Sequence, residues 1–189
     1  IGRDFRQSNN LKNKFVVLYA GAHGMSNDLD VLLQAARIVQ DQEIQGRTPG
    51  AHILQFILLG DGKEKAALQA RATQMGLNNV RFLPPVPKNR MGAALAGSDA
   101  CLAILKPLDE YKTTYPNKVF DYMAAGRPVI LAIDGVIREV VEKAGCGVFA
   151  QPGNPAALAE ALQRAYAGVE HIQFEGMHYR RDIGHSQRL

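Results

Sequence analysis

The chain has 189 residues, 47% hydrophobic and 21% charged, which suits one domain with its own core and excludes a disordered chain. Lys and Arg (22) exceed Asp and Glu (18), and the resulting +4 charge is compatible with an anionic ligand or a membrane surface without requiring either. Trp is absent and aromatics make up 7%, which argues against a base-stacking nucleic-acid module, and the longest apolar runs, Phe15–Ala20 and Ala100–Leu105, fall well short of the ~20 residues of a membrane-spanning helix.

The chain opens Ile1-Gly2-Arg3, without methionine, and reads as a piece of something longer. Phe15–Ala20 is a continuous apolar run, the pattern of a strand buried on both faces. A helix follows from Asp28, a plausible N-cap, to about Gln40, with Leu29, Leu32, Leu33, Ala36 and Val39 on one stripe. Polar Gln42–Ala51 reads as a surface loop and Ile53–Leu59 as the second strand. After Gly60-Asp61-Gly62, a helix carries Leu68, Ala72 and Met75 and stops at Gly76. Val80–Leu83 is a short strand, Lys88 to about Ala96 a helix, and Ala100–Leu105 a strand. Tyr115-Pro116-Asn117 opens a helix through Ala125, then come strand Val129–Ala132, helix Ile137–Ala144 and strand Gly147–Ala150. Asn154-Pro155 begins a helix with Leu158, Ala161, Leu162 and Ala165 on its stripe. The remainder, 169–189, is a basic tail with His171, His178 and His185 at regular spacing, read as a solvated or interdomain helix before a metal site.

Six strands alternating with helices imply an α/β fold, a doubly wound parallel sheet of Rossmann-like form. Ligands of such sheets bind beyond the carboxyl ends of the strands, where strand order reverses. Four loops then matter: Gly21–Asn27, Gly60–Gly62, Pro84–Lys88 and Lys106–Lys118. Gly21 and Gly24 allow close backbone approach, and His23 between them could donate to a phosphate. Neither a dinucleotide GxGxxG nor a Walker lysine follows. Thr113 and Thr114 precede a helix start whose free amides and positive dipole end suit a phosphate. Lys118 in that first turn opposes the dipole, which makes sense if an anion lies between. Asp121 shares a helix face with Asn117 and could accept hydrogen bonds from a ribose diol. Cys101 and Cys146 lack metal-ligand spacing and read as small core or loop residues.

The stretch Thr113-Thr114-Tyr115-Pro116-Asn117-Lys118-Val119-Phe120-Asp121-Tyr122-Met123-Ala124-Ala125-Gly126-Arg127-Pro128-Val129-Ile130 resembles the donor-site segment of glycosyltransferase family 4, often written T-S-x-P-S-K-x-x-E-Y-M-A-A-G-K-P-V. Leu18–Gly24 with Leu29–Leu33, Leu58–Gly62, Asn79–Leu83 and Gly145–Leu162 are similar to the family's other segments in order, so the resemblance spans roughly Phe15–Ala167. It implies one half of a GT-B fold, the carboxyl-terminal domain that binds a UDP- or GDP-sugar. Residues 15–168 would be that domain and residues 1–14 a linker from an amino-terminal acceptor domain. The family implies retaining sugar transfer without a metal or other cofactor. A cytoplasmic role in surface polysaccharide or glycolipid synthesis follows, docked peripherally on the inner membrane through a lipid acceptor, with no nucleic acid as partner.

By the same resemblance, Thr113 and Lys118 would act on the reacting diphosphate and Thr114 would help to hold it. Gly21, His23 and Gly24 would line it, Gly60 and Gly62 would shape the floor, Val86 would border the base, and Asp121 would hold the ribose. The sequence departs from the family where Thr113 replaces a sugar-contacting glutamate. Ala22-His23-Gly24 and Asn27-Asp28 also stand where relatives carry basic residues, leaving Lys118, with Lys88 or Arg90, to compensate. A GT-B nucleotide-sugar epimerase and a non-catalytic nucleotide-binding regulatory module are the alternatives.

Overall fold

Apolar runs that leave no face for water, separated by amphipathic helices, require a sheet covered on both sides. The computed structural model describes residues 2–47 and 53–171 and has that architecture. Strands β1 (Lys14–Ala20), β2 (Ile53–Leu59), β3 (Val80–Leu83), β4 (Ala100–Ile104), β5 (Val129–Ala132) and β6 (Gly147–Phe149) form one sheet in the order β3-β2-β1-β4-β5-β6. Every neighbouring pair is parallel. The helices are α1 (Gly2–Ser8), α2 (Leu29–Ile44), α3 (Lys65–Gln74), α4 (Lys88–Ala96), α5 (Asn117–Ala124), α6 (Val136–Ala144) and α7 (Pro155–His171). None is long and apolar enough to cross a membrane.

Alternation along β1 divides the core. Phe15, Val17 and Tyr19 pack on one side with Leu32, Leu33 and Ala36 of α2 and Leu158, Leu162 and Tyr166 of α7. Val16, Leu18 and Ala20 pack on the other with Ala94 and Leu95 of α4, Val119 and Tyr122 of α5, and Ile137 and Val141 of α6. Each fully buried Leu, Ile or Phe contributes roughly 1.5–3 kcal/mol, so a sheet buried on both faces is the main source of stability.

β1 pairs with β2 along its whole length, from Lys14↔Ile53 to Ala20↔Leu59, but with β4 only at Val17↔Ala100 and Leu18↔Cys101. Beyond that point the Ala20 backbone turns to a side chain. Its N–H donates to Tyr122 Oη (3.2 Å), and that hydroxyl donates to the Ala20 carbonyl (3.3 Å). Tyr122 thus supplies the hydrogen bonds that continued pairing with β4, which itself runs on to Ile104, would have made, and the carboxyl ends of β1 and β4 separate.

Three local expectations change. Residues 2–8 form α1, which docks on α4 where a Cβ on Gly2 would stand 2.5 Å from the Ala96 carbonyl oxygen. Arg6 fastens it, donating to the Gly97 (3.0 Å) and Lys14 (2.9 Å) carbonyls and pairing with Asp99, whose carboxylate also accepts from Val16 N–H at 2.7 Å. Helix α2 runs through Ile44, past the expected loop start. Asp28 does not cap it: a 3₁₀ turn at Met25–Asn27 leads in, Asp28 is left-handed at φ 44°, and its side chain makes no capping bond. Asn154 does cap α7, its Oδ1 accepting from Ala156 and Ala157 N–H at 3.1 Å each. His178 and His185 of the tail lie outside the described residues, and α7 ends at His171.

Candidate functional site

Strand order reverses between β1 and β4, and the loops leaving these strands diverge there, so the crevice lies at their carboxyl ends. Gly21 leaves β1, while Lys118 stands in the first turn of α5 after the β4 connection. Val119 and Tyr122 anchor α5 on one side of the sheet, whereas Tyr19 faces the other. Lys118 reaches across the end of β1 between them. Its Nζ lies 4.2 Å from the centroid of the Tyr19 ring and donates to Tyr19 Oη at 3.2 Å. A Cβ on Gly21 would stand 2.6 Å from that Nζ and would displace the ammonium, and at φ +150° a side chain there is strained by the backbone.

The ammonium has no counter-ion: among the described residues no carboxylate pairs with Lys118. Burial lowers its pKa from 10.5 to about 8. A half-buried cation held by a neutral hydroxyl and a ring is electrostatically incomplete, and an arriving anion would complete it.

The glycine loops are laced into a floor beside this cation. Gly21 N–H donates to the Leu59 carbonyl (3.0 Å), His23 N–H to Asp61 (2.8 Å) and Glu64 N–H to His23 (3.0 Å). A Cβ on Gly60, at φ +155°, would fall on the Gly21 carbonyl oxygen, and one on Gly62 would fall on the His23 backbone. These two glycines therefore serve loop-on-loop contact. Of these loop glycines, Gly24 alone has room for a Cβ, which would meet Asn27 Nδ2 in ordinary contact at 3.6 Å.

Residues 14–167 match the family model described as "Glycosyl transferases group 1". The chain belongs to this family. WcaI of Escherichia coli (strain K12), named as a colanic acid biosynthesis glycosyl transferase, is 25% identical over 162 residues, covering 84% of this chain and 37% of WcaI. Among solved structures, Anabaena Alr3699/HepE in complex with UDP and glucose superposes with a TM-score of 0.71 at 22% identity, over 88% of this chain and 42% of HepE. The carboxyl-terminal domain of the group 1 family protein LpcC from Francisella tularensis superposes with a TM-score of 0.70 at 14% identity, over 88% of this chain and 83% of that domain. The chain thus has the fold of a single group 1 domain and spans less than half the length of WcaI or HepE.

On this group 1 domain, the residues expected to line the site fall into two sets. Gly21, Gly60, Gly62, His23 and Lys118 are brought together by the contacts above. Thr113 is exposed at the end of a 3₁₀ turn (Asp109–Thr113), its Oγ1 donating to the Glu110 carbonyl at 3.4 Å. Thr114 leaves that turn half-buried, Asp121 is exposed on α5, and Val86 is half-buried against the core on the α4 side. Among the described residues no hydrogen bond or ion pair links Thr113, Thr114, Asp121 or Val86 to the Lys118 cluster.

His23 corrects an expectation. It was expected to offer a ring nitrogen to a ligand, but it is 0% exposed, seated between Tyr19 and Phe82 at centroid distances of 6.0 and 5.9 Å. Neither ring nitrogen has a hydrogen-bond partner among the described residues. Burial, then the nearby Lys65 charge, lowers its pKa, so the ring stays neutral.

Lys88 and Arg90, expected to compensate for absent cations, are exposed on α4, and no side-chain hydrogen bond or ion pair holds either among the described residues. The cation drawn into this end of the sheet is instead Lys65 of α3, which donates to the Gly60 (2.7 Å) and Leu83 (3.3 Å) carbonyls. Tyr19 is a further residue of this cluster. The available signal was a phenol at the end of an otherwise aliphatic strand, where a hydroxyl must find a partner.

Proposed function

We propose that the chain is the donor-binding half of a retaining glycosyltransferase and that its β1/β4 crevice takes the diphosphate of a nucleotide sugar. The observation that carries this is the half-buried Lys118 ammonium, unpaired and pressed against Gly21 at the strand-order reversal. When the bond from the sugar carbon to the diphosphate breaks, negative charge grows on the departing phosphate. A preorganised cation in a poorly hydrated crevice stabilises that charge more than it stabilises the bound donor.

The first-turn amides of α5 and the hydroxyls of Thr113 and Thr114 would donate to the phosphates. Asp121, exposed on α5 with no side-chain hydrogen bond or ion pair among the described residues, would accept from the ribose diol, and Val86 would border the base. This division needs no metal or cofactor. A uridine nucleotide is the first base to test, since HepE was solved with UDP. The acceptor would lie in a separate amino-terminal domain, and the role would be in surface polysaccharide synthesis at the cytoplasmic side of a membrane; what supports the biosynthetic part is WcaI's name, a colanic acid biosynthesis glycosyl transferase.

The test is calorimetric titration of the chain with UDP, GDP and NAD, repeated on Lys118→Ala and Asp121→Ala. UDP or GDP is expected to bind, with affinity falling tenfold or more in both variants, about 1.4 kcal/mol. Indifference of a folded chain to both, or undiminished binding by the variants, would refute the reading.

A further inference from the structure

We infer that Tyr19 is a positioning residue whose ring and hydroxyl hold the Lys118 ammonium over Gly21, ready for the donor's diphosphate. This inference deepens the nucleotide-diphosphate reading of the crevice and rests on it. Tyr19 is 1% exposed and lies on the face of β1 opposite the core that anchors α5. Its hydroxyl donates to the Ala22 carbonyl at 2.7 Å. The proton thus committed, only lone pairs face Lys118, and an ammonium can only donate. The two bonds therefore have a fixed direction, from Lys118 Nζ to Tyr19 Oη to Ala22 O, and they tie the cation to the loop that bears Gly21 and Gly24.

The choice of a tyrosine has a consequence that a carboxylate would not. Burial pushes its phenol well above the usual range, so the group stays neutral. It fixes the position of the ammonium by hydrogen bond and cation–π contact without cancelling its charge, which remains for the phosphates. Lys118 is also the group that titrates near pH 8 here. Tyr19 on β1, Tyr122 on α5 and Cys101 on β4 are all held protonated by burial, and His23 after β1 is held neutral. Asp61 after β2, Asp121 on α5 and Lys65 on α3 are the charged side chains nearby among the described residues.

The test follows UDP affinity from neutral to alkaline pH. In the wild type, affinity should fall above about pH 8 as Lys118 loses its proton. In Tyr19→Phe the ammonium loses its acceptor. Affinity at neutral pH should drop by roughly three- to tenfold, and the alkaline midpoint should move to lower pH. Tyr122→Phe removes a neighbouring hydroxyl bonded to Ala20 and should leave the midpoint in place. A uniform loss in Tyr19→Phe with an unmoved midpoint, an upward move, or no change would overturn the inference.

A second measurement needs neither nucleotide nor a variant that folds. The Lys118 ammonium should give an exchange-protected side-chain resonance in the unliganded wild-type chain, and an unprotected one would also overturn the inference. If that resonance is present but the wild type binds neither UDP nor GDP, the nucleotide reading fails and the Tyr19–Lys118 contact stands.

Discussion

Two openings share the carboxyl edge of the sheet, and their charges are arranged in opposite ways. One is a cavity of about 180 Å³ at the ends of β4, β5 and β6, lined by residues that include Lys106, Tyr111, Lys112 and Asp134. Two of its charges already have partners: Lys112 pairs with Asp109 at 2.7 Å and Asp134 with Arg138 at 3.4 Å. The other is the β1/β4 crevice, where Lys118 has no counter-ion. Paired, exposed charges are near their lowest free energy in water and gain little from a ligand. A half-buried cation without a partner gains much. The unbalanced charge, more than the enclosed volume, therefore marks the proposed site.

The largest expected effect lies in the floor of the crevice. Gly60→Ala drives a methyl into the Gly21 carbonyl from a left-handed backbone, so the two loops must separate. The variant should lose about 3 kcal/mol or more of stability, read as a lower thermal midpoint. A wild-type melt would show that the loops are not laced as described.

The next test contrasts the two openings directly. Lys118→Ala should weaken UDP binding at least tenfold, about 1.4 kcal/mol, while Lys112→Ala should leave titrations unchanged. Equal losses would erase the contrast.

The smallest effect concerns His23, whose two ring nitrogens are buried without partners. An unsatisfied buried polar group costs about 1 kcal/mol or more, so His23→Leu should raise the melting midpoint. The sign of its pH dependence follows from the lowered pKa. The unfolded chain binds this proton more readily than the folded one, so the wild type keeps full stability above the unfolded value near 6.5 and loses it as pH falls below that. His23→Leu should lose less between neutral and mildly acidic pH. Parallel melting curves for the two proteins would contradict this.

Most of the sheet was legible from pattern alone. β2, β3, α4 and β5 begin and end at the residues that the apolar runs, Gly and Pro indicate, because strands buried on both faces leave an unbroken apolar signature. Helix α1 was not legible. Its sequence GRDFRQS has no apolar stripe, and it is held by Arg6 meeting Gly97, Lys14 and Asp99, contacts mostly distant along the chain. Asp28 carried the composition of a cap, but the preceding 3₁₀ turn fixes its backbone in a conformation that cannot cap.

At the site, Lys118 could be read because a lysine in the first turn of a helix conflicts with the dipole. The direction of His23 could not, since a loop residue has no periodicity to orient it. Nor could the bond between Tyr19 and Lys118, which forms only because the fold brings the end of β1 beneath the start of α5.

In this reading the fold keeps Lys118 charged in the crevice, without a counter-ion among the described residues, at a cost in stability and in exchange for anion binding. The most direct measurement is thermal melting of wild type and Lys118→Met, each with and without UDP. A pKa lowered from 10.5 to about 8 means that folding disfavours this charge, fully below about pH 8 and less as pH rises towards 10.5, at a cost of roughly 3 kcal/mol at neutral pH. Lys118→Met should therefore melt higher than the wild type without nucleotide, and UDP should raise the wild-type midpoint but not the variant's. A variant that melts lower, or that still gains stability from UDP, would contradict the account.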